Sequence, residues 1–239
     1  MTPRAIFFDF GGTLVAPLRD GYPVFAEVLG SRGVPLDRAS YDRADSEVSR
    51  SRGPFLHQSL GKAPGFWDEY TARVLDRVGV TDRAAEMVHA LHSAFTSPRW
   101  HRPYPEAEDV LREVQREGLM LHVVSNNTEL LPETIRRLGW GAWFSTVTYS
   151  QETGAEKPDP RVFPLALDRA GCSPKEVLHV GDSWEADVLG ARASGIPAIW
   201  VDRGELGSGR NCPRVKDLRG ILSYLGTAPQ LRSGRARED

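Results

Sequence analysis

The sequence predicts an α/β fold in which a parallel sheet core carries an inserted α-helical domain. In the second half of the chain, short apolar runs alternate with segments of helical length, as in parallel sheets whose strands are joined by crossover helices. Another apolar run lies near the N terminus, about a hundred residues before the next one, and one crossover connection is much shorter than that. We therefore expect an insertion after the first strand.

The predicted strands are short runs rich in β-branched and aromatic residues, which favour buried strands. They occupy 4–10, 119–125, 144–150, 176–182 and 197–202. Between them, apolar residues recur with the spacing of one helical face: Val110, Leu111 and Val114; Leu131, Ile135 and Leu138; Val162, Leu165, Ala166 and Ala170. Because strand and helix alternate, we predict a Rossmann-like parallel sheet.

The inserted segment has the pattern of amphipathic helices. Its apolar residues recur at helical spacing in two sets: Phe66, Tyr70, Val74 and Val78; Ala84, Val88, Leu91 and Phe95. Pro, Gly and charged residues cluster at both borders, 16–21 and 97–105, as is typical of linkers between compact units. We predict an α/β core over 1–15 and 104–227, a helical cap over 16–103, and a disordered tail over 228–239.

Composition excludes several classes of partner. The chain has 30 basic and 32 acidic residues among 239, a formal net charge of −2, which indicates no basic surface for nucleic acid. No apolar run is long enough for a signal peptide or a membrane helix. Cys172 and Cys212 lack the spacing of a metal or redox motif. We expect a cytoplasmic monomer or homodimer that binds a small molecule.

Polar residues end several of the predicted strands. Asp9 follows the first strand, Ser125 ends the second and Asp182 the fourth, with Asp187 five residues later. Ligands of open parallel sheets bind beyond the carboxyl ends of the strands, so these side chains are expected to share one pocket. Any one of the acids is equally well explained as a helix N-cap. Together they form an all-oxygen set suited to Mg²⁺, and we predict that ion as the cofactor.

Two short segments and one lysine suit a phosphate group. Gly11, Gly12 and Thr13 follow Asp9, and glycine lets backbone N–H groups approach an anion closely. Ser125 and the two asparagines after it supply a hydroxyl and amides before a helix. Lys157 stands beside Pro158, which restricts its backbone. Each feature alone is more often a turn, a cap or a surface lysine, and the prediction depends on their combination.

These residues resemble the haloacid dehalogenase superfamily of hydrolases, in the branch with a helical cap after the first motif. The resemblance covers residues 4 to about 202 and rests on four motifs in order: FFDFGGTL, LHVVSNN, GAEKPDPRVF and LHVGDSWEADVLGARASG. It implies a phosphatase that forms an aspartyl-phosphate on a nucleophilic aspartate.

The resemblance also implies a role for each matched residue. Asp9 would attack phosphorus, with Lys157 as the second catalytic residue, which steadies the charge on nucleophile and phosphate. Mg²⁺ would be bound by Asp9, the carbonyl of Gly11, Asp182 and Asp187. The phosphate group would be bound by Gly12, Thr13, Ser125, Asn126 and Lys157.

Gly11 departs from the family pattern, because phosphatases of this family usually carry an Asp there as general acid and base. His101 and Glu185 are the candidates for a substitute proton relay. The departure keeps two alternatives open: a non-catalytic phosphate-ligand binding or regulatory protein, and a metal-independent 2-haloacid dehalogenase. Phosphonate-cleaving relatives use a cap lysine, for which Lys62 would be the candidate. Trp67 and Tyr70 are expected to pack in the cap core rather than face the substrate.

Overall fold

The strand that leads to Asp9 lies in the middle of a six-stranded parallel sheet. The computed structural model describes residues 3–16, 20–51, 66–204 and 210–225. The sheet has the order β5-β4-β1-β6-β7-β8. Its strands are β1 (Ala5–Phe8), β4 (Met120–Ser125), β5 (Thr146–Tyr149), β6 (Val177–Gly181), β7 (Ala198–Val201) and β8 (Arg214–Val215). The predicted α/β fold is confirmed, and each of the five predicted strands contains an observed one.

Helices cover both faces of the sheet. One face is covered by α5 (Ala107–Arg116), α6 (Leu130–Arg137) and α10 (Arg219–Leu225); the other is covered by α8 (Phe163–Ala170), a π-helical turn (Trp184–Leu189) and α9 (Gly190–Ala193). Successive residues of β1 point to opposite faces, so Ile6 and Phe8 pack against the first set of helices while Ala5 and Phe7 pack against the second. A short helix, α7 (Ser150–Thr153), follows β5. Burial on both faces explains why β1 is apolar throughout.

Helix α5 shows how the local sequence determines an element. Val110, Leu111 and Val114 form its buried stripe, as their spacing predicts. Two acids, Glu108 and Asp109, lie in the first turn, where they oppose the positive end of the helix dipole. The chain turns at Gly118, whose φ of 78° is in the left-handed region that favours glycine. The helix therefore returns the chain to the start of β4.

A second group of helices lies between β1 and β4 and has its own apolar core. We call it the helical insertion: α1 (Tyr22–Gly30), α2 (Arg38–Ser51), α3 (Phe66–Arg77) and α4 (Ala84–Phe95). The chain enters and leaves it through a two-stranded antiparallel ribbon, β2 (Val15–Ala16) with β3 (Arg102–Pro103). Leu130 of α6 packs into its core, and the Arg137 guanidinium donates to the Ser93 carbonyl at 2.9 Å. The insertion is thus joined to the sheet at its base and along α6.

The helices of the insertion follow the predicted periodicity, with one shift. In α3, Tyr70 and Val74 are buried as expected, and the Tyr70 hydroxyl donates to Asp45. In α4 the buried stripe passes through Met87, Leu91 and Phe95, whereas Val88 is only partly buried. Lys62, the Trp67 side chain and the tail 228–239 lie outside the described residues. Among the helices that are described, none is long and apolar enough to cross a membrane.

We expect His122 to make the protein sensitive to mild acid. The ring is buried in β4, its Nδ1 lies 2.8 Å from the Thr146 hydroxyl, and burial lowers the pKa of His122 to about 4. Between pH 6.5 and 4 the unfolded chain binds a proton at His122 that the folded protein does not. The free energy of unfolding therefore decreases by about 2 kcal/mol as the pH is lowered through this range. In urea unfolding measured across this pH range, the free energy of unfolding of His122→Asn should decrease less than that of wild type.

Thr146→Val is the matched control, because it removes the hydrogen-bond partner and keeps the imidazole. The free energy of unfolding of this variant should change with pH as steeply as that of wild type. A slope unchanged in His122→Asn would assign the acid sensitivity to other groups.

Candidate active site

A pocket of about 240 Å³ opens at the carboxyl ends of the central strands. Four segments that are distant in the chain meet there, three of them directly after β1, β4 and β6. Most of the predicted site residues therefore come together. The lining consists of Asp9, Gly11, Ser125, Asn126, Asn127, Lys157, Asp182, Ser183, Ala186 and Asp187.

The carboxylate of Asp9 is held on both oxygens. Its Oδ1 accepts from the Ser125 hydroxyl at 3.0 Å and from Lys157 Nζ at 2.9 Å. Its Oδ2 lies 3.2 Å from the Thr13 hydroxyl. Burial raises the pKa of Asp9, Lys157 opposes the rise, and Asp187 adds to it. The result is an oriented carboxylate at the base of the pocket, in the position expected of a nucleophile.

Lys157 is the buried cation of the site. Only 1% of its side chain is exposed, and its three N–H donors are all used: by Asp9 Oδ1, by Asp187 Oδ1 at 2.5 Å and by the Val124 carbonyl at 2.8 Å. Burial disfavours the charged form, but Asp187 and Asp9 outweigh it and raise the pKa of Lys157. The lysine is therefore a fixed ammonium ion shared by two acids.

The backbone of Lys157 is fixed as firmly as its ammonium group. The Asn126 side chain accepts from the Lys157 N–H through Oδ1 and donates to the Lys157 carbonyl through Nδ2, both at 2.8 Å. On the other side, Gly190 of α9 packs closely against Pro158, and a Cβ on that glycine would lie 2.9 Å from the proline Cα. Asn126 and Gly190 thus position the lysine from two directions.

Asp187 is the most constrained of the three acids. Its Oδ1 accepts from Lys157 and lies 3.0 Å from His179 Nε2, while its Oδ2 accepts from the Ser183 N–H at 2.9 Å. Burial opposes ionisation, yet Lys157 and His179 lower the pKa of Asp187. Burial also lowers the pKa of His179, so a neutral ring that donates through Nε2 fits both groups.

Asp182 completes the acidic cluster and is partly exposed to the pocket. Its Oδ1 lies 3.2 Å from the Thr13 hydroxyl, which also faces Asp9. Burial, with the negative charges of Asp9 and Asp187, raises the pKa of Asp182 to about 7. One carboxylate oxygen from each of the three acids lies within 4.8 Å of the others.

The cluster suits a divalent cation. Its ligand atoms are all oxygens, and three carboxylates face one ammonium, which leaves a formal charge of −2. Burial is the main cause of the raised pKa of Asp182, and the negative charges of Asp9 and Asp187 add to it. A hard cation such as Mg²⁺, which prefers carboxylate oxygens and water, fits this donor set.

Two glycines make room for the acids. Gly12 has a φ of 90°, and a Cβ there would lie 2.4 Å from Asp182 Oδ2. At Gly181 a Cβ would lie 2.1 Å from the carboxylate carbon of Asp187. Any other residue at either place must displace an acid of the cluster.

Three of the predicted phosphate-binding residues form hydrogen bonds within the protein. The Gly12 N–H donates to the Val15 carbonyl at 2.7 Å, the Thr13 hydroxyl faces Asp9 and Asp182, and the Asn126 amide pairs with the backbone of Lys157. These hydrogen bonds order the nucleophile, the acids and the lysine, and the phosphate contacts of the three residues stay a prediction. Asn127 and Ser183 line the pocket as well, and the sequence showed no sign of Ser183 beyond its place after Asp182.

The two candidates for a proton relay lie elsewhere. His101 Nε2 is 2.7 Å from the Phe95 carbonyl, and its ring packs beside Phe10. Glu185 is exposed in the π-helical turn. Neither belongs to the pocket lining within the described part of the chain. Gly11 does, and a Cβ built on it would have no neighbour within 4 Å, so the usual position of the general acid is open space.

We expect Gly12→Ala to destabilise the protein more than Gly33→Ala. Gly33 has a φ of 78° and Gly12 one of 90°, so both variants carry left-handed strain of about 1–2 kcal/mol. Only at Gly12 does the new Cβ meet another side chain, that of Asp182. Thermal unfolding of the two variants isolates this contact, and equal losses would show that Asp182 does not require glycine there.

Comparison with known proteins agrees with this geometry. A family model for haloacid dehalogenase-like hydrolases matches residues 3–195. A phosphoserine phosphatase of Thermus thermophilus is 42% identical over 185 residues, 77% of this chain and 69% of the relative.

Solved structures share the fold. A HAD phosphatase from Thermococcus onnurineus has a TM-score of 0.68 at 23% identity, over 94% of this chain and 98% of its own. A 2-haloacid dehalogenase from Pseudomonas syringae has a TM-score of 0.72 at 21% identity, over the same shares. From the family match, the identity to the Thermus relative and the assembled motif residues, the chain belongs to the haloacid dehalogenase-like hydrolases.

Proposed function

We propose that this hydrolase is a Mg²⁺-dependent phosphatase that acts on a small phosphorylated molecule through an aspartyl-phosphate at Asp9. The observation that carries the proposal is the placing of Asp9 Oδ1 between the Ser125 hydroxyl and the Lys157 ammonium, beside two further acids. Its similarity to a phosphoserine phosphatase supports phosphate as the transferred group.

The residues provide for a two-step transfer. In the first step the Asp9 carboxylate attacks phosphorus, the bond from phosphorus to the leaving oxygen breaks, and the leaving group departs with the electron pair. In the second step water attacks the same phosphorus, the bond from phosphorus to the Asp9 oxygen breaks, and the water proton passes to solvent, which releases inorganic phosphate and restores the Asp9 carboxylate. Ser125 and Lys157 lie where they can donate to phosphoryl oxygens once the substrate displaces part of their bonding to Asp9.

Asp9, Asp182, Asp187 and the carbonyl of Gly11 would hold Mg²⁺. When bound, the ion supplies the positive charge that reduces repulsion between the carboxylate and the phosphate. Thr13 and Lys157 keep Asp9 and the other acids in place for it. The helical insertion acts in this proposal as a cap over the pocket, tethered through the β2–β3 ribbon.

Gly11 determines which phosphates are good substrates. General acid catalysis contributes about 10²–10⁴-fold, and the residue that usually supplies it is absent here. Leaving groups that are stable as anions need no proton, so the hydrolysis of aryl and acyl phosphates should be slowed least by the absence of the acid. The same glycine favours the second candidate, a phosphate-ligand binding protein with little turnover.

We expect wild-type protein to hydrolyse p-nitrophenyl phosphate only with Mg²⁺, and Asp9→Asn to lose at least about 10⁴-fold in kcat, because the amide is a poor nucleophile. Asp168→Asn, on the exposed side of α8, is the matched control and should keep full activity. Hydrolysis that survives chelation, or that persists in Asp9→Asn, would contradict the mechanism.

Two further outcomes select the alternatives. Mg²⁺-dependent binding of inorganic phosphate without turnover of any phosphoester would support the binding protein. Chloride release from 2-chloropropionate without metal would support the dehalogenase.

We expect Gly11→Asp to accelerate the hydrolysis of an alkyl phosphate by about 10²-fold while changing the aryl ester much less, because only the alkyl leaving group needs a proton. The open space at Gly11 accommodates the new side chain. Gly11→Asn is the matched control, since it has nearly the same size and cannot act as an acid. Equal gains in both variants would assign the effect to packing.

A further inference from the structure

The guanidinium group of Arg203 contacts two segments: the turn that carries the nucleophile, and the chain between β3 and α5. Arg203 follows β7 at the carboxyl edge of the sheet, and its side chain is 22% exposed. It donates to the Thr13 carbonyl through Nη2 at 2.9 Å and to Glu106 Oε1 through Nη1 at 2.8 Å. Its Cζ lies 3.4 Å from the centre of the Tyr104 ring.

The first of these segments is the turn that carries the nucleophile. The Thr13 carbonyl belongs to the residue whose hydroxyl faces both Asp9 and Asp182. Arg203 Nε also points to the Gly12 carbonyl, at the longer distance of 3.4 Å. The backbone beside the acidic cluster is therefore anchored from outside the pocket by a single side chain.

The second contact is with the chain that leaves the helical insertion. Tyr104 comes directly after β3, and its N–H donates to the Leu14 carbonyl at 3.0 Å. Glu106 is only 4% exposed and occupies the N-cap position of α5, without a capping hydrogen bond from its side chain. Burial alone would raise its pKa, but the hydrogen bond from Arg203 lowers the pKa of Glu106, so the pair is ionised.

Arginine suits this position better than lysine does. Its planar fork directs separate N–H groups at a carboxylate and at backbone carbonyls while its face stacks on an aromatic ring. The lysine ammonium has no face to stack and cannot reach all these partners from one position.

We propose that Arg203 is a positioning residue that holds the Gly12–Thr13 turn against Tyr104 and Glu106, the chain that directly follows the exit strand β3 of the helical insertion. Movement of the insertion at β3 is thereby transmitted to the orientation of Asp9. Arg203 lies outside the pocket lining and has no part in the chemical steps.

Amide hydrogen exchange tests the proposal without reference to catalysis. In Arg203→Met, amides of 10–16 and 102–106 should exchange roughly tenfold faster than in wild type, since local opening no longer breaks a charged hydrogen bond. Arg203→Lys should give a smaller increase in the same segments and serves if the methionine variant does not fold. Amides of β4 should be unchanged.

Arg214→Met is the matched control. Arg214 is an arginine of the neighbouring strand β8, and its guanidinium pairs with Asp202 at 3.3 Å. It should leave exchange in 10–16 at the wild-type rate. Unchanged exchange in Arg203→Met would overturn the proposal, as would a uniform increase that includes β4, which indicates general support of the fold.

The kinetic test of Arg203→Met depends on the proposed function. For p-nitrophenyl phosphate, Arg203→Met should lower kcat about tenfold with KM within about twofold, because orientation of the nucleophile is lost while the phosphate site remains. A KM effect without a kcat effect would contradict it. If wild-type protein is inert, the phosphatase proposal fails while the exchange result still decides the role of Arg203.

Discussion

The ammonium group of Lys157 is the interaction on which the whole site depends. It lies between Asp9 and Asp187 with 1% of its side chain exposed, and it is the positive charge that allows acids to approach one another there. Removing one partner from a buried ion pair costs about 3–5 kcal/mol, because the remaining charges are left uncompensated. This ammonium group is kept in place by contacts to the lysine or its neighbour Pro158 from three residues, Asn126, Gly190 and Val124.

The close approach of the acids also requires glycines, which have no side chain, beside them. The carboxylates of Asp182 and Asp187 lie against Gly12 and Gly181, in the space that a Cβ would fill. The glycines of the first and fourth motifs therefore serve the acidic cluster directly. The Gly12 amide donates within its own turn, to the Val15 carbonyl, and the phosphate cradle expected at this turn stays a prediction. Gly11, by contrast with Gly12 and Gly181, leaves empty space where a Cβ would lie.

The sequence alone predicts the features that depend on local patterns. Alternation of apolar runs located the strands, and the rule that ligands bind beyond strand ends selected Asp9, Ser125 and Asp182 before any geometry was known. The β2–β3 ribbon was missed because two residues per strand are too few to show a period. The contact of His179 with Asp187 is not visible in the sequence, because His179 lies within an apolar strand.

Other roles were not predictable because they depend on pairs of residues far apart in the chain. Arg203 and Thr13, like Asn126 and Lys157, are partners only through the order of strands in the sheet. The sequence shows which residue types are present but not which donor meets which acceptor. Thr13 and Asn126 were recognised as polar residues in the right place, and only the structure showed that their hydrogen bonds go to the protein.

The position of β1 in the sheet has a consequence for the order in which the molecule is made. Ala5 pairs with Met120 on one side and Val177 on the other, so β1 has no neighbour in the sheet until β4 and β6 have been made. The helical insertion, by contrast, buries an apolar core built almost wholly from its own residues. A nascent chain that ends before β6 holds all four described helices of the insertion and Asp9, but not Asp182 or Asp187. The acidic cluster thus forms only after β6 and the turn that follows it have been made, and translation products that stop earlier lack it.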